Sequence, residues 1–348
     1  MNLSFTKLNR VMLVLMTAFL FSCQHDDSKV MTVTGEIPAS QMGVTLSHEH
    51  ILVDFICADS ISADRYNRED VVKRVLPYLE ALKQYNVNTF VDGTPQFLGR
   101  DPELLKELSE KTGMNFITNT GWYAAGNYKY LPQEAYDLSA EEIAARWIDE
   151  AQNGIGDTGI KPGFIKIGVN DPMTDMDVKI VKAACITHLA TGLTIMSHTG
   201  LAGPAFSQLK ILDEYGVAPS AFIWTHAMIE PKMDKILTAA DMGTWVAFDN
   251  LTPEYKMVSR MLDLLKYFKA ARRLDRVLIS QDAGWYSPGE PNGGDFREYS
   301  TIFDTLMILL DRGGYTMDEI NQILVTNPEN AFTIRVRKLQ KQADKTSD

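Results

Sequence analysis

Ser47-His48-Glu49-His50 places two imidazoles two residues apart. On a strand, such positions project from one face, so His48 and His50 can reach a single cation while Glu49 points the other way. A His-X-His alone is weak, because strand-end histidines are more often structural. The rest of the histidines strengthen the signal. The chain holds six; His198 and His226 also end strand-like runs, whereas His25 lies in a polar N-terminal stretch and His188 shares a helical face with Val181 and Cys185, where packing is expected. Lys166 is near the end of the apolar run Phe164-Ile165-Lys166-Ile167-Gly168, where an ammonium is costly unless it pairs with an acidic neighbour or has a chemical role. Desolvation and nearby cations depress a lysine pKa, and the neutral amine can add carbon dioxide to become a carbamate, a carboxylate able to bridge two ions. Asp282 closes Ser280-Gln281-Asp282; it can complete a coordination sphere and take a proton, or simply cap the following segment.

Elements must bring these residues together. From Val44 onward, strand-like runs alternate with amphipathic helical segments. Eight strands are expected: Val44 to His50, Val87 to Gly93, Asn115 to Gly121, Gly163 to Gly168, Leu193 to His198, Ala221 to His226, Thr244 to Asp249 and Arg276 to Asp282. Val72, Val75, Leu79 and Leu82 keep helical spacing, as do Val178, Val181, Cys185 and Leu189, and Pro77 is expected to interrupt the first of these helices. Periodicity alone allows a closed barrel or an open doubly wound sheet. Six candidate ligands at the C-terminal ends of five strands, spread from the first to the eighth, select the TIM (β/α)8 barrel, because only closure brings the first and eighth strands side by side.

With 348 residues, 45% of them hydrophobic, the chain can bury a barrel-sized core. A net charge of -11, with no Lys/Arg cluster interleaved with aromatics, argues against nucleic acid and leaves a small molecule as the expected partner. Lys7 and Arg10 precede the apolar run Val11 to Phe21, which is too short for a permanent membrane span and fits an export signal over 1–22. Leu20-Phe21-Ser22-Cys23 resembles a loose bacterial lipobox. It implies a lipidated Cys23 and a tether over 23–37, with the lipid as the only membrane attachment; the alternative is an ordinary cleaved signal and a soluble periplasmic protein. The folded body then runs over 38–340. Only Cys57 and Cys185 would remain, too few for a disulfide framework.

Gly43-Val44-Thr45-Leu46-Ser47-His48-Glu49-His50, Gly99-Arg100-Asp101, Gly163-Phe164-Ile165-Lys166, Ser197-His198-Thr199, Thr225-His226 and Ser280-Gln281-Asp282 together resemble the phosphotriesterase-like branch of the amidohydrolase superfamily. That resemblance implies two divalent ions, zinc or else manganese or cobalt. His48, His50 and Asp282 would bind the more buried ion and His198 and His226 the more exposed one, with N6-carboxylated Lys166 bridging them. The pair would generate hydroxide from a bridging water near neutral pH, with Asp282 taking the released proton. A small ester, lactone, amide or phosphoester would be the substrate. Two departures stand out. Family members acting on phosphotriesters or lactones commonly carry an Asp soon after the sixth-strand His, where this chain has Ala227-Met228-Ile229-Glu230; and Asp249 is followed by Asn250. Asp249 is left with two readings, orienting the ligands or capping its strand.

Tyr123, Trp285 and Tyr286 are candidate walls of the substrate pocket, as aromatics near the barrel rim. A mononuclear zinc deaminase would use similar His and Asp positions but leaves Lys166 unexplained. A solute-binding lipoprotein without turnover leaves the whole ligand set without purpose. Barrels of this kind often pair, so a homodimer is a further expectation.

Overall fold

The computed structural model describes residues 28–340; the expected export signal and Cys23 lie outside them. The barrel strands are Val44–Leu52, Val87–Asp92, Asn115–Ile117 continued by Asn119–Thr120, Phe164–Gly168, Thr194–His198, Phe222–Thr225, Trp245–Phe248 and Val277–Ile279. Their ladders are parallel. The third strand breaks at Thr118, so one piece pairs with the second strand and the other with the fourth.

The seam between the first and eighth strands closes through mixed bonds rather than a ladder. Ser47 Oγ donates to the Ile279 carbonyl (3.1 Å), His48 N–H to Ser280 Oγ (2.9 Å) and Asp282 N–H to the His48 carbonyl (3.1 Å). The eighth strand therefore ends three residues before Asp282, and a short strand, Gly284–Tyr286, continues alongside the first.

Strand alternation separates two apolar layers. Ile165, Ile195, Trp224, Val246 and Ile279 face the surrounding helices. Phe164, Met196, Ile223, Ala247 and Leu278 fill the barrel interior. Two residues beyond Phe164, Met196 and Ala247 on the same faces come Lys166, His198 and Asp249, so the packed core forms the floor of the polar mouth.

Two expectations are corrected. Residues Lys29–Thr32 and Gly35–Pro38 form an antiparallel hairpin, and Val30 is fully buried among Phe164, Met196, Trp245 and Phe332 at the barrel's lower end. Residues 29–37 thus belong to the folded body rather than to a tether. The helix Arg68–Ala81 also runs through Pro77 without a break. Pro77 and Lys73 both lie on the solvent face, where water satisfies the carbonyl deprived of its partner, while Val71, Val75 and Leu79 hold the buried face. No helix of the described residues is long and apolar enough to cross a membrane.

Candidate metal centre

His48, His50, Lys166, His198, His226 and Asp282 converge on the wall of one cavity of about 260 Å³ at the C-terminal mouth of the barrel. The imidazoles crowd: ring centroids lie 5.2 Å apart for His48 and His50, 5.3 Å for His48 and His226, and 4.5 Å for His198 and His226. Gly93 makes room for them, since a Cβ there would lie 2.4 Å from the His48 ring.

Hydrogen bonds fix the ring orientations. His48 Nδ1 donates to Asp249 Oδ2 (2.8 Å) and His226 Nδ1 to Asp249 Oδ1 (3.0 Å), so one buried carboxylate holds two imidazoles and turns both Nε2 atoms into the cavity. Of its two readings, Asp249 takes the orienting one. His50 Nδ1 bonds Thr94 Oγ1 (2.8 Å), whose own hydroxyl donates to the Leu52 carbonyl. That arrangement leaves the His50 Nε2 lone pair facing Asp282 Oδ1 at 2.9 Å. Two acceptors face to face require a shared proton or cation. Thr94 had no signal beyond its place just past the second strand.

Lys166 is almost completely buried, and its Nζ lies 3.0 Å from His48 Nε2. It forms no ion pair among the described residues. Burial pushes its amine down to about 8, against the partial support of Asp282, Asp249 and Asp92. Burial, aided by Lys166, pushes His48 down to about 3, and burial beside His226 and Lys166 holds His198 well below the usual histidine range. Burial alone would raise the Asp249 and Asp282 carboxyls, but the neighbouring histidines outweigh it and hold both low. Against burial, the Asp249 carboxylate raises His226 above the usual histidine range. The neutral His48 and His198 imidazoles, the ionised carboxylates and a readily deprotonated amine are donors that suit a divalent cation. The His48, His50 and Asp282 ligand atoms lie within 4.8 Å of one another.

His226 and Asp282 both adopt left-handed backbone, with φ of 61° and 52°. Such strain is stored where function requires a particular side-chain direction. Tyr123 and Trp285 line the cavity, Tyr123 packing 5.2 Å from the His198 ring and Trp285 6.0 Å from the His50 ring. Tyr286 is corrected: strand alternation turns it away from the cavity and beneath Gly293. Phe55, which carried no periodic signal, takes the rim position against Trp285 at 5.4 Å. Glu230 accepts from the Ala202 N–H (2.9 Å) at the start of helix Ala202–Glu214 and is not part of the cavity wall, so it does not replace the missing Asp. His188 is structural, donating to the Leu193 carbonyl and accepting from the Arg337 N–H.

Residues 28–332 match the phosphotriesterase family. The chain belongs to the phosphotriesterase family. This family member is 27% identical to the phosphotriesterase homology protein of Escherichia coli, over 83% of this chain and 98% of that one. It is 28% identical to an aryldialkylphosphatase of Saccharolobus solfataricus (85% and 97%) and 25% identical to human N-acetyltaurine hydrolase (88% and 98%). A triple mutant of the organophosphorus hydrolase from Deinococcus radiodurans superimposes with a TM-score of 0.77 at 26% identity, covering 87% of this chain and 97% of that one. The phosphotriesterase-family chain is therefore a metal-dependent hydrolase built on a TIM barrel.

Proposed function

We propose that this hydrolase binds two divalent cations, zinc being the first choice, and cleaves a small uncharged ester, lactone, amide or phosphotriester. The observation that carries this reading is the opposed pair His50 Nε2 and Asp282 Oδ1, 2.9 Å apart beside a buried lysine that has no ion-pair partner among the described residues. His48, His50, Asp282, His198 and His226 would hold the cations, with carboxylated Lys166 between them. When bound, they would supply Lewis acidity and a water acidified to near neutrality. Asp249 keeps the His48 and His226 lone pairs directed inward, and Asp282 accepts the proton released as water adds to the substrate. Asp249→Asn removes one of the two acceptors and is expected to weaken zinc binding by about 10–100-fold, read by chelator competition.

The lining supports an uncharged substrate. Val53, Phe55, Pro95, Leu98, Tyr123 and Trp285 form an apolar collar, and among the described residues Lys166 is the only Lys or Arg in the wall. The nearby guanidinium of Arg65 is bound to Asp54, and Arg297 is bound to backbone carbonyls. A sulfonate or carboxylate tail would enter without a partner. The test is a panel of esters, lactones, N-acyl amides and phosphotriesters with zinc or manganese, run beside His198→Ala. It includes N-acetyltaurine against an N-acetyl amide with a neutral tail. The neutral member is expected to show about 10²-fold higher kcat/KM. Equal rates for the wild type and His198→Ala across the panel would end the hydrolase reading.

A further inference from the structure

Glu49 has no part in the chemistry proposed above, yet it is fully buried and faces away from the cavity. Its carboxylate accepts from the residues on both sides of Asp282. Oε1 takes Ser280 Oγ (2.7 Å), the Gln281 N–H (3.0 Å) and Gln281 Nε2 (3.3 Å), and Oε2 takes the Ala283 N–H (2.7 Å). The intervening Asp282 N–H is held by the His48 carbonyl at 3.1 Å. From the opposite side, the Arg297 guanidinium donates to the Asp282 carbonyl (2.8 Å) and the Gln281 carbonyl (3.0 Å). Arg297 is itself fixed to Gly284 by a pair of backbone bonds, of 3.0 and 3.1 Å.

Every polar backbone group of Gln281 and Asp282 is thus pinned, and Asp282 has a left-handed φ of 52°, which among L residues chiefly Asn and Asp tolerate. We propose that Glu49 and Arg297 are positioning residues forming a two-sided clamp. The carboxylate grips the N–H groups and the guanidinium the C=O groups of the turn, which holds Asp282 left-handed with its side chain against His50. The clamp rests on the reading that Asp282 and His50 serve a bound cation. Glu49 sits between His48 and His50 on the first strand, so it ties the ligands of that strand to the ligand from the eighth across the barrel seam. The two carboxyl oxygens accept from Gln281 and Ala283 at once, whereas a glutamine would turn its own NH₂ against one of those donors.

Glu49→Gln and Arg297→Met test it. Metal-free protein is titrated with zinc against a chromophoric chelator; kcat, KM and the unfolding temperature are measured in parallel. Each variant is expected to bind zinc about 10–100-fold more weakly and to lose about tenfold or more in kcat, with KM within about twofold of wild type. A lowered unfolding temperature with unchanged zinc affinity and kcat overturns the clamp, because a purely structural bond predicts that pattern. Should Glu49→Gln not fold, the half-exposed Arg297→Met decides alone. A wild type that takes up no zinc overturns the hydrolase reading and the clamp with it; a wild type that loads beside variants that load equally well overturns the clamp only.

Discussion

Lys166→Ala is expected to lower kcat/KM by about 10³-fold or more, equivalent to about 4 kcal/mol of transition-state stabilisation, while the barrel stays folded. The size follows from what the side chain would become. Burial brings its amine down to about 8, so the neutral form grows as pH rises through that value. The nitrogen lone pair adds to the carbon of carbon dioxide, a C–N bond forms, one C=O electron pair moves to oxygen, and an N–H proton leaves to solvent. Alanine cannot make this bridge, so zinc content should fall together with activity. It also leaves a space the size of the lost side chain, which acetate or propionate can enter; either should restore part of the rate. Metal-stripped wild type should reload with zinc and bicarbonate faster at pH 8.5 than at pH 6.5. Full zinc content and rate in Lys166→Ala, with reloading indifferent to bicarbonate, would remove the carbamate from the account.

The barrel was legible because ligand types recur at strand ends, and strand alternation carries them into the interior on the face of the core residues. Lys166 stands two positions beyond Phe164, and His198 two beyond Met196, a spacing visible in the letters alone. The seam was not legible. Ser280 and Glu49 act through bonds between residues over 230 positions apart, and no local pattern announces them. The same limit hid Thr94, whose hydroxyl matters only because closure brings it to His50. Tyr286 was misplaced because the eighth strand ends at Ile279 and restarts at Gly284, so parity within the new strand, not proximity to Asp282, decides which aromatic reaches the cavity. The sequence suggests a tether over residues 29–37 because the hairpin's four-residue strands carry too few apolar side chains to show a period; its stability comes from Val30 reaching the barrel floor.

Asp282→Asn separates the two tasks assigned to Asp282 more cleanly than alanine does. Asparagine tolerates left-handed backbone, so at φ 52° the turn and its bonds to Glu49, His48 and Arg297 remain intact. Alanine at the same place adds backbone strain of about 1–2 kcal/mol and should lower the unfolding temperature as well as the rate. The amide retains a weak ligand oxygen but has no basic site near neutral pH. With excess zinc to keep the centre filled, Asp282→Asn should keep KM within about threefold and lose about 10³-fold in kcat, the span typical of a missing proton acceptor. Loss of zinc without recovery of rate at saturating metal would make Asp282 chiefly a ligand. A kcat within about threefold of wild type would show that the proton leaves by another route, since an amide in that position cannot carry it.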